Sequence, residues 1–331
     1  MNITRRKENN NFTYFLKNKK ITNRNVINTI NSFKIPPAYN NVLINENFND
    51  DILATGNDDK GRKQYIYNPN YAEEKSEIKF CDLITFGKKV KRIRSDILAS
   101  ISKKKNIHNK EDLIYIVLYL IDNCNFRVGS KKYKSLYDSY GVTTLNSNHF
   151  KFLKNHVKVE FVGKKGIINK SIIKNKYIID NLIYLCKLYQ NEEFIFSYKS
   201  EGKIFNITDK IVNNFLQSKY NKHISVKMFR TWNANTYLLK EILDSQIPNN
   251  PRQASKNISD SIKKIAEKLH HTPSVSKKSY LNNDLINLYT NNFKIFYKII
   301  NEFLHDKSKF PTTDRILNVF LEYICKLNNL N

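Results

Sequence analysis

A change of hydrophobic period near residue 76 limits what this chain can fold into more than any other feature. Before it, Gln64-Tyr-Ile-Tyr67 alternates after the turn-like Asn57-Asp-Asp-Lys-Gly61, and Ile35-Pro-Pro37 breaks the chain earlier; these are strand and turn signals. After it, helical spacing dominates, over 82–103, 110–124, 171–189, 210–219, 230–245, 257–270 and 283–303. One hairpin interrupts the helices: Val157–Val162 alternates as a strand, Gly163-Lys-Lys-Gly166 is a glycine-bounded turn, and Ile167-Ile168 resumes the pattern. The expected fold is α+β, with a small β-rich N-terminal domain over 1–76 and a larger, mostly helical domain over 77–331. The hydrophilic segment Asn68–Ser76 reads as the linker between them or equally as a surface loop.

Charge narrows the partner. Lys plus Arg number 56 against 30 Asp plus Glu, a net charge of +26, far beyond what solubility requires. The basic residues are spread through segments with hydrophobic periodicity rather than gathered in one amphipathic helix, which favours nucleic acid over a membrane surface. The run Lys88-Lys-Val-Lys-Arg-Ile-Arg94 reads as a DNA-facing helix surface. Four cysteines, Cys81, Cys124, Cys186 and Cys325, lack any paired spacing, so neither a zinc site nor a disulfide framework is indicated. The apolar run Leu113–Ile121 is too short to span a bilayer, and the N-terminus has no apolar signal core. The expectation is an intracellular protein with no membrane partner, no metal and no cofactor.

The segment His270-His-Thr-Pro-Ser-Val-Ser-Lys-Lys-Ser-Tyr280 places an imidazole and a phenol on either side of one short helix. Leu269 ends an amphipathic run with Ile262 and Ile265, Thr272 suits an N-cap, and Pro273 suits the first helical position. Tyr280 lies nine positions past His271, roughly two and a half turns of continuous helix, so the two meet only if the helix breaks or folds back. A phenol titrates near about 10 and attacks phosphorus at neutral pH only where cations stabilise the developing charge. Candidates for those cations are Arg127, after the apolar helix 113–124, and Arg230, which opens the run Arg-Thr-Trp-Asn-Ala-Asn. A sugar 5′ oxygen leaves poorly unless protonated, and Lys164 or Lys165 at the hairpin tip could supply the proton. Each of these residues taken singly reads as an ordinary surface, capping or turn residue.

Taken in order, Arg127, Lys164, Arg230, His271 and Tyr280 resemble the catalytic series of the poxvirus-type DNA topoisomerases of type IB. Gly56–Tyr67 is similar to that family's N-terminal DNA-clamping signature, Phe126-Arg-Val-Gly129 to its first arginine, and Phe161-Val-Gly-Lys164 to its lysine hairpin. Arg230-Thr-Trp232 resembles the second arginine motif with Asn235 as the supporting asparagine, and His271–Tyr280 the nucleophile motif. The resemblance implies relaxation of supercoiled DNA without ATP or metal, by a monomer of a large DNA virus acting in the virion or at a cytoplasmic replication site. Tyr280 would form a 3′-phosphotyrosyl bond; Arg127, Arg230 and His271 would hold the non-bridging oxygens; Lys164 would protonate the leaving 5′ oxygen. The same resemblance puts Arg62, Gln64, Tyr65 and Tyr67 in the major groove, and Lys132, Tyr133, Lys227 and Asn235 among the DNA contacts.

Three positions depart from the family pattern. Ser130 replaces a basic residue, Met228 an acidic one, and Asn233 a glycine, the last bearing on local loop geometry. Residues before Ile35 match poorly and carry no assigned role. A tyrosine recombinase is the nearest enzyme alternative, but such proteins generally carry a histidine three positions before the second arginine, where Lys227 stands here. An architectural DNA-binding protein needs only the charge and leaves the ordered series unexplained.

Overall fold

The computed structural model describes residues 2–8, 11–103, 109–305 and 312–328. Two compact units, Met1–Lys79 and Phe80–Asn331, divide the chain. Among its described residues the first holds a six-stranded antiparallel sheet, one short helix and the beginning of a longer one. Its elements are β1 (Ile3–Glu8), β2 (Asn11–Leu16), β3 (Lys19–Lys20), α1 (Arg24–Ser32), β4 (Asn40–Ile44), β5 (Ile52–Asn57) and β6 (Lys63–Tyr67), ordered β3-β2-β1-β4-β5-β6. Asn23 caps α1 by accepting from the Asn25 and Val26 amides, and Ile30 of that helix buries against Ile3, Tyr14, Val42, Ile44 and Ala54. The residues before Ile35, to which no role was assigned, thus supply three of the six strands and the helix that covers them. Their signal was weak because the strands are short and half exposed.

The expected linker is not one. A 35-residue helix, α2 (Pro69–Lys103), begins one residue after Asn68 and continues across the boundary between the units. Pro69 is compatible with a first helical turn, and Glu73, Glu74 and Lys75 are good helix formers. With no apolar stripe in that stretch, periodicity could not find it.

The second unit builds its core on α3 (Lys110–Cys124), whose residues Leu113–Leu118 are all buried. After α3 come α4 (Lys131–Tyr137), a three-stranded antiparallel sheet of β7 (Phe150–Leu153), β8 (His156–Val162) and β9 (Ile168–Ile173), and α5 (Lys176–Leu188). A hairpin of β10 (Ser197–Ser200) and β11 (Lys203–Asn206) leads to α6 (Asp209–Lys219), α7 (Val226–Leu243) and α8 (Pro251–Lys268). The chain closes with α9 (Pro273–Ser279), α10 (Asn283–Asn291), α11 (Phe293–His305) and α12 (Thr313–Asn328). On β8, Val157, Val159 and Phe161 are buried while their neighbours face out, as strand alternation requires. The α2–α7 contact is close because residue 87 is glycine: a Cβ there would stand 2.4 Å from the buried Trp232 ring. α7 begins at Val226, so Arg230 lies inside the helix rather than at its start.

Two cysteines far apart in sequence meet in space, Cys81 of α2 and Cys325 of α12, with sulfurs 3.4 Å apart. Among the described residues, no helix is long and apolar enough to cross a membrane, and no group of His, Cys, Asp and Glu could hold a metal ion.

Candidate active site

Three backbone features bring Arg127, His271 and Tyr280 of the candidate series to one place. The first follows α3, where Asn125 takes a left-handed conformation (φ 54°) and turns the chain so that Arg127 leaves the core. The strand-like stretch after it is pinned by Val142 N–H to the Arg127 carbonyl at 2.9 Å and Thr143 N–H to the Val128 carbonyl at 2.7 Å. Glycines make this approach possible. Gly129 has φ +94°, and a Cβ on Gly141 would stand 2.5 Å from the Gly129 nitrogen and 2.8 Å from the Arg127 carbonyl oxygen.

The second is the end of α8. His270 is left-handed (φ 54°), and the His271 amide turns back onto the Ala266 carbonyl at 2.8 Å, a C-terminal closure that stops the helix and projects the His271 ring. His270 packs its ring on Phe126 at 6.0 Å. The geometry therefore separates the two adjacent histidines: His271, and not His270, reaches both arginines.

The third is α9, with Thr272 accepting from the Val275 amide as N-cap and Pro273 in the first turn, as the sequence predicts. This helix has only seven residues, and Tyr280 at its C-cap has left helical geometry (φ −126°). Helical side chains lean toward the N-terminus, so the Tyr280 ring returns to His271, with centroids 4.7 Å apart. Asn235, fully buried on α7, holds the turn from both sides: its Nδ2 donates to the Tyr280 carbonyl and its Oδ1 accepts from the Asn282 amide, each at 2.8 Å.

At the centre, Arg127 Nη2 and Arg230 Nη2 both donate to His271 Nε2, at 2.7 and 2.8 Å. Guanidinium nitrogens only donate, so Nε2 accepts and the imidazole proton resides on Nδ1, which is buried with no partner. Burial first, then the charges of Arg230 and Arg127, push the His271 pKa down to about 3, so the ring is neutral at neutral pH. Arg230 is 4% exposed. Its other contact is the Leu269 carbonyl at 2.9 Å, and its Nε and Nη1 meet no acceptor at hydrogen-bond geometry. Burial and the neighbouring Arg127 charge lower its pKa to about 10, which leaves it charged.

The Arg230 guanidinium lies 5.5 Å from the centre of the Tyr280 ring. Burial alone would raise the Tyr280 phenol, but the charges of Arg230 and Arg127 outweigh it and hold the phenol below its ordinary value. Lys164 sits at the β8–β9 tip. Burial and the Arg127 charge depress its ammonium, and Lys165 and Lys227 push the same way, while the Tyr280 phenol opposes them. Lys165, beside it, is left-handed at φ 65°.

The residues expected to touch DNA fall into different settings. Tyr65 and Tyr67 share one face of β6, are 45% and 47% exposed, and stack at 6.1 Å. Gln64 lies on the opposite face, as strand alternation demands. Arg62 pairs with Asp58 at 2.7 Å and Gln64 donates to the same carboxylate at 2.9 Å, and the Arg62 guanidinium holds the Asp58 carboxyl down at about 2. Tyr65 and Tyr67 thus face one way, and Gln64 turns with Arg62 toward Asp58. Lys132, Tyr133 and Lys227 are exposed. Asn235 offers no surface to a ligand: it is a backbone clamp, and its expected place among DNA contacts is corrected by its burial. Arg94, expected on a DNA-facing surface, turns inward to Asp122 and Asp314. Asn233 is in mid-helix, not in a loop.

Residues 68–304 match the eukaryotic DNA topoisomerase I catalytic core, and residues 11–58 the N-terminal domain of bacterial DNA topoisomerase IB. DNA topoisomerase 1B of Acanthamoeba polyphaga mimivirus is 32% identical over 297 residues, 88% of each chain. DNA topoisomerase 1B of Vaccinia virus (strain Copenhagen) is 23% identical over 297 residues, 88% of this chain and 87% of that one. DNA topoisomerase 1 of Mycosarcoma maydis is 26% identical over 273 residues, 73% of this chain and 26% of the relative. With the catalytic-core match spanning well over half its length, the chain belongs to the type IB DNA topoisomerase family.

Proposed function

We propose that the chain relaxes supercoiled duplex DNA by cutting and resealing one strand through Tyr280, without ATP or metal. The observation that carries this reading is Arg230: a buried cation whose Nε and Nη1 meet no acceptor at hydrogen-bond geometry, beside a second arginine and facing a phenol. Two guanidiniums crowded on one neutral imidazole are a poor arrangement for an empty site and a good one for a phosphate. An anion entering between them replaces His271 Nε2 as their acceptor, and the unpartnered Nδ1 leaves the ring free to take the tautomer that donates from Nε2.

The Tyr280 phenol, held below its ordinary value by Arg230 and Arg127, gives its proton to solvent as its oxygen attacks the scissile phosphorus, forming a 3′-phosphotyrosyl bond while the bond to the 5′ oxygen breaks. Arg127, Arg230 and His271 stabilise the charge that accumulates on the non-bridging oxygens, and Lys164 gives its proton to the departing 5′ oxygen. A depressed lysine pKa suits that role. The phosphodiester energy stays in the covalent bond, the free end rotates, and the 5′ hydroxyl reverses the chemistry. Exposed Tyr65, Tyr67, Lys132, Tyr133 and Lys227 contact the duplex, and the net charge of +26 supports binding along its backbone. The protein works as a monomer, and the viral relatives support a role inside the cell at a viral replication site or in the virion of a large DNA virus.

Relaxation of a negatively supercoiled plasmid in EDTA without ATP tests the reading. Wild type should relax it fully and Tyr280→Phe should bind it in a salt-sensitive manner without relaxing it. Relaxation by the phenylalanine variant would overturn the mechanism; site-restricted strand exchange in place of relaxation would favour a recombinase.

A further inference from the structure

Beside the active site lies a second buried polar cluster that the chemistry does not use. Arg94 of α2 forks onto the Asp122 carboxylate, Nε to Oδ2 at 2.7 Å and Nη2 to Oδ1 at 3.0 Å, and its Nη1 reaches Asp314 Oδ2 at 2.8 Å. Its Nη2 also donates to Asn233 Oδ1 at 2.9 Å. Asn233 Nδ2 donates onward to the Asp122 carbonyl at 2.7 Å and to Asn125 Oδ1 at 3.0 Å. Asn125 Nδ2 in turn donates to the Lys268 carbonyl at 3.3 Å and the Tyr237 hydroxyl at 3.2 Å. Asp122, Asn125 and Asn233 are all buried.

Three of the backbone segments this cluster joins carry a group of the proposed chemistry a few residues away. Arg127 follows Asn125 by two positions, His271 follows Lys268 by three, and Arg230 precedes Asn233 by three, about one helical turn. An asparagine can accept from Arg94 and donate to two acceptors at once.

We propose that Asn233 is a positioning residue, which through Asn125 sets the mutual placement of Arg127, Arg230 and His271 for attack on the phosphate. The inference rests on the proposed function, and the test separates the two.

Asn233→Ala should lower the single-turnover rate of cleavage of a labelled duplex roughly 100-fold, as an ångström-scale misplacement of catalytic groups does, with duplex affinity nearly unchanged. Asn233→Ser, which keeps a donor and an acceptor, should recover part of the rate. A core control, Phe296→Leu in α11, should lose stability and keep its cleavage rate. In an Arg127→Ala background the Asn233→Ala change should cost clearly less than it does in the wild type, because one of the three groups it positions is gone; a general folding defect would multiply in full. Should Asn233→Ala fail to fold, Asn125→Ala cuts the link to Lys268 and carries the same expectation. An unaltered rate in Asn233→Ala, or a fully multiplicative loss, overturns the proposal. If wild type itself forms no covalent adduct, the functional reading fails on its own. The ¹⁵N resonances of the His271 ring then decide the positioning claim: a shift in Asn233→Ala supports it and unchanged resonances refute it.

Discussion

Alanine at position 235 would strand two buried backbone groups on either side of the tyrosine. Asn235 is fully buried, donates to the Tyr280 carbonyl at 2.8 Å and accepts from the Asn282 amide at 2.8 Å. Its third bond, to the Thr231 carbonyl at 2.8 Å, lies within α7, where that carbonyl keeps its helical partner. Each orphaned group costs about 1–3 kcal/mol, so Asn235→Ala should destabilise the catalytic unit by about 2–6 kcal/mol. With a urea m-value of about 3 kcal/mol/M, the midpoint falls by about 1 M. The turn that presents Tyr280 also loses both restraints, and an ångström of displacement should slow cleavage roughly 100-fold. Urea unfolding followed by tryptophan fluorescence suits the assay, since the one tryptophan, Trp232, is buried three residues before Asn235 on α7; cleavage is read by single-turnover adduct formation. Asn235→Asp, which preserves the acceptor for Asn282, should fall between. A stability change within about 0.5 kcal/mol, the scatter of a surface substitution, together with an unaltered rate would refute the clamp.

Three further outcomes follow from the site. Lys164→Ala should slow cleavage far more than Lys165→Ala, and a substrate with sulfur at the 5′ bridging position, which leaves without a proton, should restore it; no rescue removes the acid role. His271 is held at about 3 by burial and by Arg230 and Arg127, against an ordinary value of 6.5, so the unfolded chain takes up a proton that the folded state refuses. Stability present at neutral pH is therefore lost as pH falls from about 6.5 toward 3, by at most about 1.4 kcal/mol per pH unit for this group, and His271→Gln should flatten that part of a chemical-denaturation pH profile; an unchanged slope contradicts the assignment. On the duplex, Lys132→Ala should reduce the slope of log affinity against log salt by about 1, whereas Tyr65→Ala should weaken binding without changing the slope, and the reverse pattern would exchange their roles.

Local chemistry was legible in the sequence and long-range geometry was not. The Thr272 cap, the Pro273 start and the 157–168 hairpin were readable because each is decided within a few residues. The division between a sheet and a helical unit was readable because period 2 and period 3.6 differ over any ten-residue window. Asn68–Ser76 misled because a helix exposed over its first turns has no apolar stripe, and α4 and α12 were missed beside the stronger runs. Arg127 and His271 are 144 residues apart, and nothing local shows that both reach Arg230; only the order of motifs, read as a family resemblance, joined them. The same resemblance cast Asn233 as a loop oddity and Asn235 as a DNA contact. Their burial on α7 gives both of them backbone partners instead, a fact that depends on which helices pack around them.

The most direct test of the account is chemical identification of the covalent adduct. A duplex nicked downstream of the cleavage site should trap the protein on DNA in EDTA, and nuclease and protease digestion followed by mass spectrometry should find a 3′-nucleotide on Tyr280, with a free 5′ hydroxyl on the released strand. A nucleotide on any other residue, a 5′ linkage, or an adduct that survives in Tyr280→Phe would contradict it.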